Sequence, residues 1–194
     1  SYLGRRVEER EPTGLENLYY GKKIQFLLWA RRYQEALEES RKPPGFQATL
    51  GWLLLASTRA LTGAPTEALA IIEKQAMGKD NPNYRRHHVW FLALCGRRKE
   101  AQEALEEHLS VLNQRNIKTD YDRAIFHAGL GENDKAIECL YRAYDDHSGL
   151  MIGLISDYWF HSLHGDPRFA FCGIIDFVSS FTEPQIEQAE PLIE

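Results

Sequence analysis

Nothing in this chain alternates apolar and polar residues with a period of two between turn signals, so no segment reads as a β-strand. No apolar run approaches the ~18–20 residues that cross a bilayer. The opening "SYLGRRVEER" lacks the apolar centre of a signal peptide. Cysteine is scarce: Cys95, Cys139 and Cys172 stand far apart in apolar surroundings. An odd number without close pairs argues against a disulfide framework and against zinc-ligand spacing. It fits reduced thiols that act as small apolar side chains in a cytoplasmic protein. Positive charge is not in excess either. Lys and Arg number 23 against 28 Asp and Glu, a net charge of -5, which argues against nucleic-acid binding by this segment. There is no phosphate-binding glycine loop, no Gly-x-Ser-x-Gly elbow and no His-Glu-x-x-His pair. The expectation is a protein that is not an enzyme, uses no cofactor and contacts no membrane. A first residue of Ser1 rather than methionine suggests a piece of a longer protein, or removal of an initiator methionine.

What is present is a repeat. The stretch "WARRYQEALEES" returns as "LTGAPTEALAII", "LCGRRKEAQEAL" and "GLGENDKAIECL". Their alanines, Ala36, Ala68, Ala101 and Ala136, are separated by 32, 33 and 35 residues. That is close to the ~34-residue period of helix–turn–helix repeats. Five residues before each alanine stand Arg31, Gly63, Gly96 and Gly131, a column suited to a left-handed residue that ends a helix. Twelve before stand Ile24, Ala56, Val89 and Ala124; four after stand Ser40, Ile72, Leu105 and Leu140. These mostly apolar columns should face a helix–helix seam, with the small alanine letting two antiparallel helices approach. Pro65 and Pro82 suit first helical turns, and Asn133 suits an N-cap with Asp134 near the positive helix end. The pattern predicts helices over 15–31, 33–42, 46–62, 65–77, 82–95, 97–114, 119–130 and 133–147, then shorter ones over 149–156 and 167–180. Residues 1–14 read as a linker and 182–194 as an acidic, flexible tail, flanking one helical domain over 15–181.

With these columns in place the chain resembles the tetratricopeptide repeat (TPR) family. In the second unit Trp52, Leu55, Ala56, Gly63, Ala68 and Ile72 stand where the family has its large and small residues; the first unit supplies Tyr20, Tyr33 and Ala36. The segment "AIFHAGLGENDKAIECLYRAYDDHSGLMIGLISDYWFHSLHGDPRFAF" is similar to the closing part of TPR regions in bacterial multidomain regulators. The resemblance covers about 17–147 and, through the turn Asp166-Pro167-Arg168-Phe169, the segment that follows. At an earlier turn Tyr158, His161 and Ser162 replace the proline and Asp-Pro of that closing pattern. The resemblance implies an all-α fold: a right-handed α-solenoid of about four TPR helix pairs plus closing helices. It also implies a signalling or transcription regulator whose repeat groove binds a protein or peptide partner. Carried over residue by residue, that groove would be lined by Gln25, Trp29, Leu53, Arg86, Trp90, Tyr121 and Ile125. The alternative for the tryptophans is to fill gaps between repeats.

Two other readings rest on residues alone. The apolar first helix, "IQFLLWA", could be an uncovered solenoid end through which the chain forms a homodimer. The cluster Asp157, His161, His164 and Asp166 has a spacing that could hold a metal; its plainer reading is helix caps and surface histidines.

Overall fold

A computed structural model describes residues 14–41, 51–74, 81–170 and 172. Among them every regular element is helical and none is a strand. The elements run α1 (Gly14–Trp29), α2 (Tyr33–Glu39), α3 (Gly51–Leu61), α4 (Pro65–Glu73), α5 (Pro82–Leu94), α6 (Arg98–Gln114), α7 (Asp120–Gly129) and α8 (Asn133–Asp145). Two 3-10 segments follow, Gly149–Ser156 and Tyr158–Leu163. The chain divides into two compact units, Ser1–His87 and His88–Glu194, with the division inside α5. The linker reading over 1–14 lies outside the described residues except for Gly14, which opens α1 instead; the tail reading over 182–194 lies outside them entirely, as do 46–50, 75–77 and most of 167–180.

The repeat columns account for the turns. Arg31, Gly63, Gly96 and Gly131 all have left-handed backbones, with φ of 58°, 92°, 71° and 72°. Each turn then closes with the same two bonds. The left-handed residue donates its N–H three residues back: Arg31 to Leu28 at 3.0 Å, Gly63 to Ala60 at 3.2 Å, Gly96 to Ala93 at 2.9 Å, Gly131 to Ala128 at 3.1 Å. The next residue donates five back: Arg32 to Leu27 at 2.8 Å, Ala64 to Arg59 at 2.9 Å, Arg97 to Leu92 at 3.0 Å, Glu132 to His127 at 2.9 Å. These bonds satisfy carbonyls that a helix end would otherwise leave open. They also bring the following helix back beside the first. The four alanines and the residues twelve before and four after them are buried in every repeat. The seam therefore recurs as its spacing predicts, with α1 on α2, α3 on α4 and α7 on α8.

The cap readings divide. Pro65 and Pro82 each open a helix, and Asn81 Oδ1 accepts the Asn83 N–H at 2.8 Å. Asn133, expected as an N-cap, is instead the first residue of α8, and the cap position falls to Glu132. Glu132 turns outward to Arg98 at 2.8 Å and His127 at 2.7 Å, which hold its carboxyl down at about 2. The expected helix over 149–156 has those bounds but is a 3-10 helix, and a second one over 158–163 follows where none was expected.

Candidate functional site

The residues assigned to a groove fall into two groups. Gln25, Trp29, Leu53 and Arg86 belong to the first unit, and Trp90, Tyr121 and Ile125 to the second. In the first unit Gln25 and Arg86 are half-buried, Trp29 is exposed and Leu53 is buried. Arg86 reaches Asn83 Oδ1 at 3.3 Å. In the second unit Trp90, Tyr121 and Ile125 are each 2% exposed or less. These three do not line an open face.

For Trp90 and Tyr121 the reason is the chain's own closing segment, Gly149–Leu163, which lies over them as a strap. Trp159 and Tyr158 meet the Trp90 ring at 5.2 and 5.9 Å, and Phe160 meets Tyr121 edge-on at 5.4 Å. Tyr121 Oη donates a short hydrogen bond to Asp157. Met151, Leu154, Trp159, Phe160 and Leu163 of the strap are all buried. At ~1.5–3 kcal/mol per buried side chain, these five contribute on the order of 10 kcal/mol. Against this, the buried Trp90 indole N–H finds no acceptor among the described residues, which costs ~1–3 kcal/mol. Burial wins, so the strap is part of the native core of the second unit and a partner would not lift it cheaply.

The strap also accounts for the His/Asp cluster. Asp157 is engaged by Tyr121, and His161 stands edge-on to Trp90 at 6.3 Å with burial lowering its pKa. His164 stands against Phe169 at 5.1 Å. Asp166 accepts the Arg168 N–H at 2.9 Å as a helix cap, and the Arg168 guanidinium holds its carboxyl below the ordinary range. Phe169 is buried and packs on Phe160 of the strap at 5.8 Å. Arg168 bridges to Asp134 of α8 at 2.8 Å. Among the described residues no three His, Cys, Asp or Glu side chains are grouped to hold a metal ion. None of the three cysteines is in a disulfide; Cys139 and Cys172 are buried, which raises their pKa, and Cys95 is half-buried.

One polar pair escaped the sequence reading. His108 of α6 and Asp122 of α7 meet at 2.8 Å with side chains 1% exposed. They tie two successive repeats together and are closed to a substrate. The residues are 14 apart across a loop, a spacing that carries no motif. The first helix offers a different signal: Leu18, Tyr19, Phe26 and Trp29 are exposed large apolar residues on one element. Phe26 and Trp29 pack edge-to-face at 5.4 Å.

Comparison with protein-family models, curated proteins and solved structures finds no match to this chain. Among the described residues no helix is long and apolar enough to cross a membrane.

Proposed function

We propose that this chain is a TPR-type solenoid module that binds a protein or peptide partner, carries no catalytic activity of its own, and serves a cytoplasmic bacterial signalling or transcription regulator. The observation that carries this reading is the fourfold turn: the same left-handed column, the same two hydrogen bonds and the same buried alanine in every repeat. Such arrays stack one unit on the next and present extended surfaces of the kind partners use. The strap restricts where contact is made. It covers Trp90 and Tyr121 within the second unit; in the first unit Trp29 is exposed and Gln25 and Arg86 are half-buried. Trp and Arg are the residue types that dominate binding hot spots.

The test is affinity capture with the whole chain and with a Gln25→Ala, Trp29→Ala, Arg86→Ala triple variant. A defined set of proteins should be recovered by the first and lost with the second. Recovery of the same set by both would remove the groove reading.

A further inference from the structure

We propose that the outward face of α1 is a docking surface for an acidic amphipathic helix of a partner protein. This deepens the interaction-module reading and rests on it.

Within their own units, α3 is packed by α2 and α7 by α6, so both of these first helices have the second helix of the preceding pair beside them. For α1 the described residues supply α2 and α3 as its principal neighbours. The face left open is apolar. Leu18, Tyr19, Phe26 and Trp29 are 59%, 61%, 61% and 38% exposed, and only Ile117, Leu150 and Ile152 are comparable elsewhere among the described residues. Positions 19, 22, 26 and 29 follow one another at three- and four-residue steps, which makes a single stripe along the helix. A helix laid in a groove is read through anchors at this spacing.

Charge selects the occupant. A shallow cleft of about 530 Å³ on this helix is lined by Tyr19, Phe26 and Leu27 together with Lys22, Lys23 and Arg32. Among the described residues no carboxylate lines it. Lys23 is held by Glu39 at 2.9 Å and Arg32 by Glu35 at 2.6 Å, whereas Lys22 reaches only the Gln25 amide at 3.4 Å. A second copy of α1 packed antiparallel about the middle of the stripe would set the lysines of both copies against each other, and like charges in apposition disfavour it. A helix with carboxylates beside its apolar stripe would meet the same lysines favourably. The chain already contains helices of this kind: α2, "YQEALEE", buries Ala36 and Leu37 and carries Glu35 and Glu38 on its exposed side.

The experiment uses a phage-displayed library of helical 18-residue peptides randomised on one face, selected against the whole chain. Enriched peptides should combine large apolar residues with Asp or Glu. Their affinity should fall at least tenfold for Lys22→Glu and again for Phe26→Ser, two surface substitutions whose folding is checked by far-UV circular dichroism. Peptides without acidic enrichment, or retained affinity with either variant, would overturn the proposal while leaving the interaction-module reading intact. No enrichment at all would overturn both. A concentration-dependent dimer in sedimentation that Phe26→Ser abolishes would overturn it in favour of a second copy.

Discussion

Exchanging glycine and a side chain in the left-handed column should shift stability in opposite directions at two of its members. Gly131 has φ of 72°, and a Cβ added there would meet nothing within 4 Å. The cost of Gly131→Ala is therefore conformational, ~1–2 kcal/mol for a left-handed non-glycine residue. Alanine also narrows the unfolded ensemble, which returns ~0.4–1 kcal/mol. The net loss is about 1 kcal/mol. Arg31 holds the same place in the first repeat with φ of 58° and already bears that strain. Arg31→Gly should gain ~0.5–1 kcal/mol by the same arithmetic reversed. The assay is urea unfolding followed at 222 nm. With a slope of ~1–3 kcal/mol/M, a change of this size moves the midpoint by roughly 0.3–1 M. The two substitutions lie in different units, so they act on different transitions if the units unfold separately. A neutral or stabilising Gly131→Ala would refute the reasoning, as would an Arg31→Gly that destabilises.

Three further outcomes follow from packing and burial. Gly129→Ala should destabilise by ~1–3 kcal/mol, because its Cβ would stand 2.8 Å from Ala93 Cβ and 3.2 Å from the Trp90 carbonyl oxygen; the urea midpoint reports it. Phe160→Ala should cost ~3–5 kcal/mol and free the strap, read as faster hydrogen exchange over 149–163 and increased exposure of Trp90 to a fluorescence quencher. His87 is buried with Nδ1 donating to the Asn83 carbonyl at 2.6 Å, and burial pushes its pKa down to about 3. Its unfolded counterpart takes up a proton near pH 6.5, so stability is full above that pH. It declines as pH falls toward about 3, by ~1.4 kcal/mol per pH unit. His87→Gln should flatten the wild-type slope between pH 6.5 and 4.5, and an unchanged slope would show that this group is not responsible.

How far the sequence could be read depended on the range of the interaction. The left-handed column was legible because glycine answers a local backbone demand, and Arg31 was placed by register despite its side chain. The buried columns at Ile24, Ala36 and Ser40, and at their counterparts, were legible because helix periodicity carries them. Asn133 was misread because Glu132, one residue earlier, took the cap position while its side chain went to Arg98, 34 residues away. The groove residues show the larger gap. Their column gave Trp90, Tyr121 and Ile125 the correct helices, but exposure depends on what else reaches that face. The short apolar pieces of 149–163 offer no periodicity that says where they will lie. The 3-10 form of that segment and the His108–Asp122 pair have the same cause: distant contacts decide them.

The sequence by itself determined the helical character of the described segments, the repeat period, the residues that turn the chain between paired helices and the side chains in each seam. All of these follow from spacings of a few residues and from the backbone preferences of glycine, proline and alanine. Only the tertiary structure decided that the strap closes over Trp90 and Tyr121, that Asp157 is engaged by a tyrosine, and that α1 keeps an apolar face open beside Lys22. Covering and leaving bare are properties of assembled surfaces, set by which distant segments bury the most area together, and no local spacing encodes them.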